Sequence, residues 1–251
     1  EYLQRPQINS AEMLMSDSNG NLQSTGWAGG SASGGDTLLL SGYSFGDYAQ
    51  WYAQPRDLKV LIGGKECTNP VLHWEDNIDQ MDGYGYGSAI TCTTPAGTPE
   101  TDAEIKLFIN DVQDNGSAGC NGCGLQFTYL QRPYIDYVNT LVFDGNGMPN
   151  AQDHFGSATG GDKLMLRSYS FSYYTNLNIP NAQPRELKVM IDGKECTNPV
   201  LHWDDAIGQM NYYTYYKYGT TITCTTPAGT PGADAEIELF INGVRDQNSF
   251  D

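Results

Sequence analysis

The sequence predicts an all-β protein built as two tandem β-sandwiches. Three observations lead there: the chain is one module written twice, its apolar segments keep the two-residue period of strands, and Gly and Pro punctuate them throughout. Ser31-Ala32-Ser33-Gly34-Gly35-Asp36 returns as Ser157-Ala158-Thr159-Gly160-Gly161-Asp162. Residues 64–74 return as 193–203 and residues 90–99 as 222–231, so the offset drifts only from 126 to 132. A period of that length is a whole domain rather than a solenoid unit of about 20–50 residues. The expected domains are 1–127 and 128–251, each long enough to bury its own core.

Taken in order, Thr37-Leu38-Leu39-Leu40-Ser41-Gly42-Tyr43-Ser44-Phe45 follows a Gly34-Gly35 breaker and reads as a strand. Leu187-Lys188-Val189-Met190-Ile191 alternates and then meets Asp192-Gly193, a two-residue hairpin signal ahead of Lys194-Glu195-Cys196. Gly63-Gly64 holds the same place in the first copy. Glu104-Ile105-Lys106-Leu107-Phe108-Ile109-Asn110 alternates in the main, and Glu236-Ile237-Glu238-Leu239-Phe240-Ile241-Asn242 repeats it. No long stretch has the helical period. Several short strands with turns between them, in about 125 residues, read as a β-sandwich.

Composition narrows the function. The chain carries 30 Asp and Glu against 13 Lys and Arg. Residues 1–127 hold 16 acids and 5 bases, net −11, and residues 128–251 hold 14 and 8, net −6. That balance argues against a nucleic-acid partner, which needs a basic footprint. No stretch reaches the roughly 18 apolar residues of a membrane span. No signal peptide opens the chain, and Glu1 directly precedes the repeat motif Tyr2-Leu3-Gln4-Arg5-Pro6, as in mature material or a segment of a longer chain. Cys67 and Cys92 match Cys196 and Cys224, one pair per repeat, while Cys120 and Cys123 lie between the repeats. An even count with one pair per module is a disulfide pattern of an oxidising compartment. The expected bonds are Cys67–Cys92, Cys196–Cys224 and a local Cys120–Cys123. Zinc is the rival for Cys120 and Cys123, but a second pair of ligands is missing nearby.

The order of motifs resembles a known family. An opening with Pro and Ile is followed by Gly-Gly-Asp, Leu-x-Leu-x-x-Tyr-Ser-Phe, a Val-x-Ile-x-Gly-Lys-Glu-Cys hairpin, Ile-Thr-Cys-Thr-Thr-Pro-Ala-Gly, and a closing strand ending in Ile-Asn-x-Val. This is similar to the IPT/TIG domain of plexins, fibrocystin-like surface proteins and some transcription factors. The resemblance covers both repeats and implies an immunoglobulin-like sandwich for each. Two departures stand out. Asp36 and Asp162 sit where members often carry Thr after the Gly-Gly, and the openings hold apparent inserts at 9–33 and 137–157. Loops of that length are usually functional, decorated or in contact with a neighbour. Transcription-factor members bind DNA through basic loops, which this chain lacks.

Several motifs carry chemistry of their own. Asn115-Gly116-Ser117 is an N-glycosylation sequon, and Asn121-Gly122-Cys123 is the weaker Cys variant. Thr93-Thr94-Pro95-Ala96-Gly97-Thr98-Pro99 has an O-glycosylated composition but also suits an ordinary turn. Asp17 and Asn19, with Asp144 and Asn146, resemble the front of a calcium loop, making calcium the one cofactor to test. The closing Glu of such a loop is absent, and a tight turn explains the same residues. His73-Trp74 and His202-Trp203 put imidazoles near carboxylates but without a nucleophile, so no enzymatic site is expected. Tyr212, Tyr213, Tyr215, Tyr216 and Tyr218 crowd one short segment, which suits an interface or sugar stacking, or a hairpin with cross-strand aromatic pairs.

The expected function is that of a structural repeat unit of an extracellular or cell-surface fibre or array, glycosylated and self-associating head to tail. Its partners are then copies of itself and covalent glycans. The join carries this expectation. Phe127-Thr128-Tyr129-Leu130-Gln131-Arg132-Pro133 crosses between repeats, and Phe250-Asp251 with Glu1-Tyr2-Leu3-Gln4-Arg5-Pro6 are the halves of a similar junction, one residue longer. Tyr2, Pro6, Phe250 and the Tyr-dense segment are the expected contact residues. A glycan- or receptor-binding module is the alternative, and an accessory domain of a larger secreted enzyme is the third reading.

Overall fold

The computed structural model describes residues 4–17, 20–50, 52–74, 78, 87–116, 125–152, 156–174, 183–203, 207 and 220–247. The chain divides into two compact units, one formed by Glu1–Met15 and Leu22–Leu130, the other by Ser16–Asn21 and Gln131–Asp251.

Eleven strands make the first unit: β1 (Gln7–Ser16), β2 (Leu22–Ser24), β3 (Gly29–Gly30), β4 (Thr37–Tyr43), β5 (Leu58–Ile62), β6 (Lys65–Glu66), β7 (Thr68–His73), β8 (Ala89–Thr93), β9 (Thr101–Ile109), β10 (Val112–Gln113) and β11 (Gln126–Tyr129). One sheet runs β2-β1-β4-β8-β7, and the other runs β3-β11-β9-β5-β6 with β10 also on β9. Nine strands make the second unit: β12 (Tyr137–Phe143), β13 (Pro149–Gln152), β14 (Lys163–Arg167), β15 (Leu187–Ile191), β16 (Lys194–Glu195), β17 (Thr197–His202), β18 (Thr221–Thr225), β19 (Ile237–Ile241) and β20 (Val244–Arg245). Their sheets run β13-β12-β14-β18-β17 and β16-β15-β19-β20. Each unit is an immunoglobulin-like β-sandwich.

Alternation decides which side chains enter the core. Leu38, Leu40, Leu72, Ile90 and Cys92 come from the first sheet of unit one, and Val60, Ile62, Ile105, Leu107 and Ile109 from the second; none is more than 3 % exposed. In unit two Leu166, Leu201, Ile222, Val189, Leu239 and Ile241 do the same. Truncating one such side chain to Ala typically costs about 2–5 kcal/mol.

The turns follow their residues. Asp192 (φ 49°) and Gly193 (φ 70°) join β15 to β16 with Ile191 opposite Lys194, a two-residue turn with both centres left-handed. Gly63 and Gly64 make the same turn between β5 and β6. Asn110 and Asn242 open the hairpins β9–β10 and β19–β20 at φ near 50°, which Asn tolerates. Their side chains reach back: Asn110 Oδ1 accepts from Asp57 N at 3.0 Å, and Asn242 Oδ1 from Glu186 N at 3.1 Å.

The expected inserts are corrected. Within 9–33 and 137–157, β1 with β2 and β12 with β13 extend the first sheet of each unit rather than looping out, while β3 joins the second sheet of unit one: β1 pairs with β4, and β12 pairs with both β13 and β14. A register shift between Ile8 and Ser10 interrupts the two-residue period of β1, so the buried Ile8, Ala11, Met13 and Leu14 do not alternate cleanly.

Asp36 and Asp162 have a structural task. Asp36 Oδ2 accepts from Ser31 N at 2.6 Å, and Asp162 Oδ2 accepts from Ser157 N in the same way. Each backbone N–H meets a Thr hydroxyl, Thr94 or Thr226, at 3.1 Å. The glycine before this hinge is a close approach: a Cβ at Gly34 would stand 2.6 Å from Ala96 N, and one at Gly160 2.6 Å from Ala228 N.

Candidate interface: the junction peptide and the closing strand

The peptide joining the repeats has two halves with different tasks. Its first half, β11, pairs antiparallel with β9, setting Phe127 opposite Ala103 and Tyr129 opposite Thr101. It also pairs in parallel with β3, setting Tyr129 beside Gly30. Phe127 and Tyr129 point inward, 0 % and 3 % exposed, with their rings edge to face at 5.0 Å. Both rings need small neighbours. A Cβ at Gly97 would lie 2.1 Å from Tyr129 Cζ, and one at Gly30 would lie 3.0 Å from Phe127 Cζ. Tyr129 donates its hydroxyl to the Pro95 carbonyl at 3.1 Å. Burial, and then the neighbouring Cys67, push the Tyr129 phenol above its ordinary range.

The second half belongs to the unit that follows. Tyr174 donates its hydroxyl to the Gln131 carbonyl at 2.6 Å, and the buried Pro133 accepts from Gln247 N at 2.8 Å. The opening of the chain is held identically: Tyr48 donates to the Gln4 carbonyl at 2.7 Å, and the buried Pro6 accepts from Asn115 N at 2.9 Å. Pro6 thus roots the first unit. Tyr2, Phe250, Tyr212, Tyr213, Tyr215, Tyr216 and Tyr218 lie outside the described residues.

The two cysteine pairs each sit between the sheets. Cys67 lies between β6 and β7, its N–H bonded to the Val60 carbonyl, and Cys92 lies on β8. Cys196 lies likewise between β16 and β17, its N–H bonded to the Val189 carbonyl, with Cys224 on β18, and all four are buried thiols. The thiols of each pair are in hydrogen-bond contact; that contact first, and burial second, push Cys92 and Cys224 up and keep them protonated. Cys120 and Cys123 lie outside the described residues.

Asn115 is exposed at the end of β10, while Ser117 of its sequon is outside the described residues. Asp17 Oδ1 accepts from Asn21 N at 2.9 Å, and Asp144 Oδ1 accepts from Asn146 N and Met148 N at 2.8 Å each. Both carboxylates therefore cap tight turns, and among the described residues no three His, Cys, Asp or Glu gather as a metal site. Asn19 is outside the described residues. His73 and His202 meet Thr91 and Thr223 hydroxyls at 2.7 and 2.8 Å, and Trp74 Nε1 donates to the Ala53 carbonyl at 3.0 Å. These are packing and sheet contacts.

Sequence reasoning missed three sets of residues. Tyr48 and Tyr174 hold the junction peptides, Phe127 and Tyr129 close the first sandwich, and Gln54 and Gln183 bracket β7 and β17. Gln54 exchanges both bonds with the Leu72 backbone, and Gln183 does so with Leu201. The signal was present, since Gln54-Pro55-Arg56 recurs as Gln183-Pro184-Arg185.

The family model of the IPT/TIG domain matches residues 27–129. The first unit is therefore an IPT/TIG domain, and the second unit repeats the motifs of the first. No curated protein matches the chain. Among solved structures, the plexin A4 full extracellular region is similar at 16 % identity and TM-score 0.35, covering 97 % of this chain and 17 % of that one. The I9–I11 tandem of titin is similar at 8 % identity and TM-score 0.37, covering 96 % and 63 %. A Bacteroides ovatus SGBP-B, solved with a mixed-linkage heptasaccharide, is similar at 11 % identity and TM-score 0.23, covering 98 % and 60 %. The chain thus spans less than two thirds of each. The fold assignment rests on the sheet topology and the family match rather than on these likenesses.

Proposed function

We propose that this chain is a structural repeat unit of an extracellular or cell-surface fibre or array, working by head-to-tail contact with copies of itself. The observation that carries the reading is the doubled junction peptide. Tyr129-Leu130-Gln131-Arg132-Pro133 links one sandwich to the next, and Tyr2-Leu3-Gln4-Arg5-Pro6 repeats it residue for residue. Both are held by a Tyr hydroxyl on the Gln carbonyl and by a backbone bond to the Pro carbonyl. Head-to-tail contacts that do not close into a ring give filaments. Asn115, exposed beside Pro6, is the proposed glycan site, and the paired cysteines are proposed to be oxidised in such a compartment.

Negative-stain microscopy and intact mass of the secreted protein test this. Extended fibres with a regular axial repeat are expected, with a mass above the 27.5 kDa polypeptide by the glycan. A compact monomer at high concentration overturns it in favour of the binding-module alternative.

A further inference from the structure

The Thr- and Pro-rich segment that follows β8 holds its threonines in very different surroundings. Thr91 lies on β8, half-buried, with its hydroxyl 2.7 Å from His73 Nε2. Thr93 ends β8, half-buried, and pairs with Thr37 of β4 on one side and Thr68 of β7 on the other. Thr94 is 4 % exposed, and its hydroxyl accepts from Asp36 N at 3.1 Å. These three are committed to the sandwich. Thr98 is exposed. Its carbonyl, rather than its hydroxyl, serves the local turn, accepting from Thr101 Oγ1 at 2.7 Å.

The backbone on both sides of Thr98 is fixed. Gly97 N donates to the Ala32 carbonyl at 2.9 Å, and a Cβ at Gly97 would stand 2.1 Å from Tyr129 Cζ. Glu100, at φ 61°, donates its N–H to the Tyr129 carbonyl at 2.9 Å. Pro99 disfavours helical backbone at the residue before it, which holds Thr98 extended. Residues 94–98 belong to no strand or helix, so no ladder has to open for an enzyme to reach this hydroxyl. The surroundings are complete here, since β11 already pairs with the start of β9. An exposed, extended threonine between Pro95 and Pro99 is an acceptor of the kind that Thr- and Pro-rich glycosylated segments display.

We propose that Thr98 is a site of O-linked glycosylation. This rests on the extracellular, glycosylated reading and adds to Asn115 an attachment of a second chemical kind. In the transfer, Thr98 Oγ1 attacks the anomeric carbon of a nucleotide-activated sugar. The new C–O bond forms as the bond from that carbon to the diphosphate breaks. The nucleoside diphosphate leaves, and the hydroxyl proton passes to a base of the transferase. Thr94 is excluded by the same geometry. A sugar on its hydroxyl needs room that a side chain 4 % exposed does not have, and it would crowd the bond from Asp36 N. The modification is therefore confined to one threonine of a segment whose composition alone offers several.

Mass spectrometry of the full chain secreted by its native host tests this. Trypsin releases residues 66–106 as one peptide, because no Lys or Arg lies between Lys65 and Lys106, and this peptide carries seven Ser and Thr side chains. Electron-transfer fragmentation should place a sugar mass on Thr98 and on none of the other six. Thr98→Val, expressed in the same host, should lose that mass from the intact protein. Thr94→Val should keep it and melt at a lower temperature, since Asp36 N loses its acceptor. A bare 66–106 peptide beside a glycosylated Asn115 overturns the Thr98 site and leaves the extracellular reading standing. Sugar on Thr93 or Thr94 in place of Thr98 overturns the site in the same way. A chain bare at both Thr98 and Asn115 overturns the site and the glycosylated reading together.

Discussion

Asp144 shows how a short polar run in this chain works as geometry. Its Oδ1 accepts from Asn146 N and Met148 N, its N–H bonds to the Met148 carbonyl, and Gly147 supplies the left-handed centre at φ 76°. A side chain that satisfies two turn N–H groups acts as a cap does at a helix start. Asp144→Ala should therefore lower stability by about 0.5–2 kcal/mol. Melting curves with millimolar calcium and with chelator should show the same loss in both. A rise in the wild-type melting temperature with calcium that vanishes in Asp144→Ala would instead make this carboxylate a ligand, since whatever binds only the folded state must stabilise it. The buried Asp114 and Asp246 are related cases, accepting from Leu107 N at 2.9 Å and Leu239 N at 2.8 Å. Burial pushes the Asp246 carboxyl above the usual carboxylate range.

Between elements, the cysteines stand where the two sheets meet. Cys67 stands at the end of β6 and Cys92 on β8, strands of different sheets, and their thiols already touch. The intervals are 92 − 67 = 25 and 224 − 196 = 28 residues. Closing a loop of that length stabilises by about 3–4 kcal/mol in the chain-entropy view. Non-reducing peptide mapping of the secreted protein should recover Cys67–Cys92 and Cys196–Cys224, with Cys120–Cys123 joined locally. A Cys67–Cys196 link, or free thiols throughout, would remove the proposed bonds and with them an argument for an oxidising compartment. Protonated, buried thiols react slowly, so oxidation should precede or accompany folding rather than follow it.

For the whole molecule, charge opposes the proposed assembly. The formal net charge is −17, distributed over both repeats, so neighbours repel at long range. Salt shortens that range from about 30 Å at 0.01 M to about 8 Å at physiological ionic strength. Assembly followed by light scattering should therefore increase between 10 mM and 300 mM sodium chloride, both on the order of the limits just given. A decrease with salt would mean that the contacts are ion pairs rather than strand pairing and apolar burial. Among the described residues no helix is long and apolar enough to cross a membrane.

Periodicity, turn residues and the internal repeat determined the β class, the two-sandwich plan and the hairpins, because strand faces and left-handed turns depend on residues next to each other in the chain. The proposed Cys67–Cys92 bond follows from one cysteine pair per repeat, with both thiols buried. The β1 and β12 extensions were not legible, since a bulge shifts the period and a sheet edge accepts polar strands. Nor were the tasks of Tyr48, Gln54 and Tyr129, whose partners lie 44, 18 and 34 residues away. Only the tertiary structure decided that Tyr129 covers Gly97, because that contact depends on where β11 comes to rest against β9 and β3, segments far from it in the chain.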